Sequence, residues 1–285
     1  MTVVLRHTQT RGSTLDISPD LAFSARQRMC LLDLAETARL WRLCWTLAWL
    51  DIRLRYRGSM LGPFWLTLST AVMVGSMGFL YAFLFRMDLH EYLPFLALSL
   101  VLWGYLSGLV TEGCTAFTQV EGMIRSVRMP FSLYAARMVI RNMIVLAHNV
   151  VVVVVVYALL RVWPGARAVL ALPGVALWLV DSLAVCLLLG ALCARFRDIP
   201  PIVGSIMQMA FFISAVIWKP EQLGQHEWML LPNPFFTLLE VVRAPLLGEL
   251  ASMAVWASAL IYSAVLVGIS WLLFARVRGR IAFWV

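Results

Sequence analysis

Few residues in this sequence have the type and spacing that chemistry needs. Glu112, His148 and Asp181 are ionisable groups that fall inside long apolar runs. Inside a membrane such a group costs about 2.5–3.5 kcal/mol on insertion scales, so it acts either as a proton relay or as polar glue between helices. Asp181 and His148 fall near mid-depth of adjacent runs and are placed to pair, while Glu112 falls in the cytosolic half of its run. The stretches GxxxxGK[ST], HExxH and GxSxG do not occur. Lys219 is the only lysine and stands at the edge of an apolar run, so no phosphate loop binds ATP here. The histidines (His7, His90, His148, His226) are far apart, and the five cysteines fit neither a metal site nor a disulfide framework. No catalytic residue, metal or cofactor is therefore expected on the chain itself.

The elements that must position these groups are membrane spans. Of 285 residues, 62% are hydrophobic and 13% charged, against roughly 25% charged in a soluble domain. Arg53, Arg55 and Arg57 alternate with Leu54 and Tyr56, and an uncharged run from Gly58 to Phe85 follows. A cationic head joined to such a run marks a junction of cytosol and bilayer, with the helix entering near Leu61 and Pro63 in its first turn. Run lengths place six spans, at Leu61–Phe85, Tyr92–Thr118, Leu133–Leu160, Leu172–Ala194, Ile199–Trp218 and Leu250–Phe274. The segment Lys219–Glu249 is interrupted by Pro232, Pro234, Glu240, Arg243 and Pro245. It reads as a re-entrant pair of short helices on the outer side, with Asn233-Pro234 as N-cap and first turn.

A cytosolic start puts 16 of the 23 basic residues inside and five outside, with Arg137 and Arg141 within the third span near its cytosolic end. This excess indicates cytosolic termini. It also explains the net charge of +8 by membrane orientation rather than by nucleic acid. From Asp33 to Tyr56 the pattern is helical: Trp41, Trp45, Trp49 and Ile52 share one face, and Arg39, Arg42 and Arg53 another. Tryptophan beside arginine suits a helix lying in the headgroup layer, in contact with membrane lipids. Residues 1–30 read as a mobile cytosolic tail and 31–285 as one membrane domain. The fold class is all-α integral membrane: six transmembrane helices, an N-terminal amphipathic interface helix and an external re-entrant helical segment.

Three stretches, in this order, carry a resemblance. They are Arg55-Tyr56-Arg57-Gly58-Ser59-Met60-Leu61-Gly62-Pro63-Phe64-Trp65, Ala194-Arg195-Phe196-Arg197-Asp198-Ile199-Pro200, and Asn233-Pro234-Phe235 with Glu240-Val241-Val242-Arg243-Ala244-Pro245-Leu246-Leu247-Gly248. Together they resemble the membrane subunits of type-2 ABC exporters for polysaccharides, especially those of lipid-linked O-antigen. The resemblance implies a permease of the bacterial inner membrane, working as two copies with two separate ATPase subunits that hold ATP and Mg. It also implies that the interface helix and cytosolic loops dock on the ATPases. The first and fifth spans are expected to line the path of a lipid-linked polysaccharide.

On that expectation, Glu121, Arg125 and Arg128, in a loop ending at Met129-Pro130, form a coupling helix stopped by Pro130. Arg195, Arg197 and Asp198 form a second contact with the ATPase. Phe79 and Phe83 make one aromatic row, Tyr81 and Phe85 another, and Phe211 and Trp218 a third. Flat apolar rings stack on sugar C–H faces without demanding a register; the alternative is packing or lipid contact. Other readings are an exporter of capsule or teichoic-type polymer, a proton-coupled transporter using Glu112, His148 and Asp181, and a membrane glycosyl- or acyltransferase.

Overall fold

A bilayer supplies no water to backbone groups, so each apolar run must close its own hydrogen bonds as a helix. The computed structural model describes residues 23–285 apart from Ser59, Leu61 and Pro63. Most of the tail expected at residues 1–30, and the membrane entry expected at Leu61 and Pro63, therefore lie outside the described residues. The described residues form helices α1 (Phe23–Arg39), α2 (Trp41–Arg55), α3 (Phe64–Phe85), α4 (Leu89–Gly113), α5 (Glu121–Ser126) and α6 (Phe131–Leu160). These are followed by α7 (Ala171–Arg195), α8 (Ile199–Ile213), α9 (Pro234–Leu246), α10 (Met253–Val277) and the short α11 (Ile281–Trp284). The protein is all-α and membrane-embedded, with five helices long and apolar enough to cross a bilayer and a sixth, α8, that is shorter.

Helix α4 is the axis of the bundle. Of its most apolar stretch, 72% is buried inside the protein, against 17% for α3. It packs against α3, α6, α7, α8 and α9. Tyr105 of α4 stacks flat on Trp178 of α7 at 5.4 Å between ring centroids, and its hydroxyl is 2.7 Å from Ser182 Oγ. Helix α3 leans on one side of this axis, and Gly78 gives Leu93 of α4 the room to approach.

Two expectations about helix continuity are corrected. The helix expected over Asp33–Tyr56 begins earlier, at Phe23, and breaks into α1 and α2 at Leu40. On α2 the face turned inward is Cys44, Ala48 and Ile52, so Ile52 parts from the tryptophans, which flank that face and stay exposed. The run Ile199–Trp218 was expected to span, yet α8 ends at Ile213. Fifteen residues reach about 22 Å, short of a hydrocarbon core of about 30 Å.

Side chains from other elements explain this bend. Ala215 adopts φ +50°, a left-handed conformation costly for a residue with a Cβ. The carbonyls that the bend frees are taken at once. Asn233 Nδ2 donates to Ile213 O (3.1 Å), Arg243 to Ala215 O (2.6 Å) and the Tyr92 hydroxyl to Ile217 O. Arg243 is 1% exposed; it also pairs with Glu240, donates to Ser99 Oγ (3.0 Å) and lies 4.6 Å from the Phe95 ring centre.

The segment after the bend is the expected pair of short helices. A 3-10 stretch over Pro220–Leu230 turns at Gly224, and α9 follows, capped by the Asn233 side chain on the amides of Phe235 and Phe236. Helix α9 is sunk among α4, α7 and α10. Its carbonyls are held by aromatic donors, Trp178 Nε1 on Leu238 O (2.8 Å) and Tyr157 Oη on Leu246 O (2.9 Å). Pro245 has no N–H for the Val241 carbonyl. There Gly174 of α7 comes so close that a Cβ would stand 3.0 Å from Val241 O. Beyond α9, burial and the nearby Glu221 and Glu240 hold the Glu249 carboxyl above the usual carboxylate range.

Replacing Arg243 by Met strands the Glu240 carboxylate and the Ala215 carbonyl. Breaking a buried pair in this way costs about 3–5 kcal/mol. The melting temperature of the purified chain in lipid nanodiscs should fall well below that of Arg195→Met, a change at an exposed turn. Equal values for the two variants would show that Arg243 does not hold the bend.

Candidate functional site

The arginine-rich end of the bundle gathers the C-termini of α4, α7 and α10 with the N-terminus of α6, and α1 and α2 lie against α6 there. Asp51 and Arg55 are one helical turn apart on α2, and Arg137 and Arg141 one turn apart on α6. The Arg137 guanidinium makes a two-point contact with the Asp51 carboxylate, and Arg141 stands 3.7 Å from the same group. Glu112, in the last turn of α4, accepts from Arg55 (2.9 Å), Arg141 (2.6 Å) and Asn142 (2.8 Å). Two acids and three arginines thus join helix α2 to two bundle helices. The Arg137, Asp51 and Arg141 side chains are 16%, 14% and 8% exposed, so solvent screens these pairs little.

The family follows from the extent of the matching sequence: residues 42–247 match the ABC-2 type transporter family. The chain belongs to that family. Among its relatives, the O-antigen export system permease protein RfbA of Myxococcus xanthus is 24% identical over 197 residues, covering 68% of this chain and 76% of that protein. The protein of the same name from Klebsiella pneumoniae is 20% identical over 191 residues, covering 66% and 74%. The matched residues take in α2 apart from Trp41, the arginine network and the whole of α9.

In this ABC-2 chain the residues singled out by sequence fall into separate groups. Asp181 and His148 do not pair, contrary to expectation. Asp181 accepts from Ser263 of α10 (2.7 Å), and His148 Nδ1 lies 2.8 Å from Ile144 O of its own helix. With Glu112 held by arginines, the three ionisable groups have separate partners and do not meet one another.

The expected coupling loop holds a short helix, α5, but it ends at Ser126 and not at Pro130. Val127 is already extended, and Met129, which precedes Pro130, is disfavoured in a helix, so the chain runs straight into α6. Arg125 pairs with Glu121 (2.6 Å) and also donates to Val285 O (2.7 Å). Arg128 lies just beyond α5, in the exposed link to α6. Arg195, Arg197 and Asp198 are exposed at the turn from α7 to α8, with Arg195 over the Phe196 ring at 5.5 Å.

On α2, Trp41, Trp45 and Trp49 are exposed, with Arg42 over Trp41 (5.5 Å) and Arg53 over Trp49 (5.6 Å). Arg39 closes α1 and is likewise exposed. The aromatic rows of α3 face different ways. Phe79 and Phe83 are 72% and 83% exposed and line an open hollow of about 610 Å³ with Arg86 and Met87. Tyr81 and Phe85 stack on each other at 5.5 Å, and Phe85 meets Tyr92 edge-on. Phe211 packs on Trp103 at 5.9 Å, and Trp218 Nε1 closes the bend on Phe212 O.

Asp51 and Asn142 were not singled out by sequence, and Arg55, Arg137 and Arg141 only as orientation charges or as part of a resembling stretch. Their signal was a pair of arginines one turn apart inside an apolar span, which requires acids from elsewhere. A double-mutant cycle on Glu112→Ala and Arg141→Ala checks the contact. An interaction energy of about 0.5–3 kcal/mol in thermal unfolding is expected for groups in one ionic network. Strict additivity of the two changes would remove Glu112 from the network.

Proposed function

We propose that this chain is the membrane subunit of an ATP-driven exporter that carries a lipid-linked polysaccharide, O-antigen, across the bacterial inner membrane. The observation that carries the reading is that two relatives, from two organisms, are each an O-antigen export system permease and each align with about two thirds of this chain. ATP and Mg belong on separate ATPase subunits, since the sequence has no phosphate loop. Two copies of the chain work with two ATPases, because one bundle is filled along its α4 axis and leaves α3 turned outward. The arginine excess puts both termini and the α5 loop in the cytosol. There α5, with Glu121, Arg125 and Arg128, and the turn of Arg195, Arg197 and Asp198 meet the ATPases. The tryptophan face of α2 lies in the headgroup layer. The hollow at Phe79 and Phe83 offers apolar rings to a moving polymer.

The test is reconstitution of the chain with its ATPase in vesicles loaded with lipid-linked polymer. Export should require ATP and Mg, be blocked by vanadate and survive collapse of the proton gradient. Flux that follows the gradient instead would make the chain a secondary transporter. In the same vesicles, Arg125→Glu with Arg128→Glu should let ATP hydrolysis continue while export falls, because the reversed charges repel carboxylates on the partner.

Phe79→Ala with Phe83→Ala should slow export at unchanged protein level, since neither ring is buried in the bundle. Tyr81→Ala should act mainly on protein level, since Tyr81 packs on Phe85. Normal surface polysaccharide in the Phe79/Phe83 double variant would return that face to lipid contact alone.

A further inference from the structure

Helix α6 begins after Pro130, whose side chain caps nothing, so its first amides need a partner from elsewhere. Asp33 of α1 supplies it. Its Oδ1 accepts from Phe131 N (3.2 Å), and its Oδ2 from Ser132 N (2.9 Å) and Ser132 Oγ (2.6 Å). The same carboxylate holds Arg278, which follows α10, at 2.8 Å from Nε and 2.7 Å from the second nitrogen. The Asp33 side chain is fully buried. Beside it, Thr37 Oγ1 lies 2.7 Å from Ser132 Oγ, and burial pushes the Cys30 thiol up to about 11. One carboxylate from α1 therefore replaces an N-cap and neutralises an arginine from the far end of the chain. Asp33 and Arg278 stand on either side of the matched residues 42–247.

The exposed helix α5 lies between two anchored points. Before it, Phe117 is 0% exposed and packs closely against Gly190 of α7. After it, Phe131 meets Phe117 edge-on at 6.0 Å, lies under the Arg278 guanidinium at 6.0 Å and has its amide on Asp33. A displacement of α5 is thus delivered to one small cluster that touches α1, α6, α7 and α10. We propose that Asp33 is the positioning residue of this cluster: it ties α1 and the root of α5 to α6 and α10, so that ATPase movement at α5 becomes movement of the spans. This rests on the exporter reading above.

The test uses the full chain in complex with its ATPase subunits in lipid vesicles, and reads polymer exported per ATP hydrolysed. Asp33→Asn keeps size and one acceptor oxygen but loses the charge. Arg278→Gln keeps the cap and loses the ion pair together with the guanidinium over Phe131. Both complexes should assemble and hydrolyse ATP. Asp33→Asn should lower the ratio about fivefold, in the range of allosteric couplings, and Arg278→Gln by less. If Asp33→Asn does not accumulate, Arg278→Gln decides alone. A wild-type ratio in the accumulating variants overturns the proposal. So does a fall in protein amount with the ratio preserved, which is the mark of a contact that only holds the fold. Absence of ATP-driven export in the wild-type complex overturns the exporter reading itself, a result visible without any variant.

Discussion

Inside a bilayer a backbone carbonyl or amide without a partner has no water to turn to, and three irregular features among the described residues supply that partner from a side chain. The helix after Asp198 stops short, and its freed carbonyls pass to Asn233, Arg243 and Tyr92. The re-entrant α9 leans on the donors of Trp178 and Tyr157. The start of α6 borrows the carboxylate of Asp33. In each case the partner comes from a different element, so the irregular backbone and the packing of the bundle depend on each other. An unmet buried polar group costs about 1–3 kcal/mol, enough to make each of these side chains matter.

The same constraint explains what was legible in the sequence. Five spans follow from apolar run length, because a helix that satisfies its own hydrogen bonds needs only enough residues to cross. The end of α8 does not follow from it. Ile199–Trp218 carries no charge, and neither glycine nor proline marks Ala215 as a bend. What makes the bend possible is Arg243, 28 residues further on, together with Tyr92 on another helix. The Asn233-Pro234 cap was legible because a cap is a local event. The break at Leu40 was not, since neither glycine nor proline stands there.

The candidate site divides along the same line. Spacing places residues on one face of their own helix but does not say what that face meets. Phe79 with Phe83 and Tyr81 with Phe85 are equally regular rows, yet one turns outward and the other packs inward. Asp181 and His148 share depth but not direction, and each finds a nearer partner. Arg55, Arg137 and Arg141 read one by one as orientation charges and Glu112 as an isolated intramembrane acid, and only their convergence with Asp51 makes a network. Replacing a buried ionic network by apolar residues is often neutral for stability, whereas removing one member is costly. Such a network is therefore better suited to fixing one register between α2, α4 and α6 than to adding stability.

That distinction bears on how the bundle transmits motion. A joint that only stabilised would tolerate apolar contacts, which slide, while ion pairs with two-point geometry resist sliding. The arginine-rich end carries two such joints, one at Asp51 and one at Asp33. They bind α1 and α2 to helices that run the length of the bundle. Helix α3 is the reverse case, with 17% of its apolar stretch buried and contacts confined to one side. Helix α8 is held at its far end by Arg243 and Asn233 but turns much of its length outward. The two elements with the fewest constraints are thus the ones that border the outward faces, while the charged joints lie where α5 is presented. On the coupling proposed for Asp33, a push at the charged end moves a connected unit, and the loosely held helices are where that movement has room to open a path.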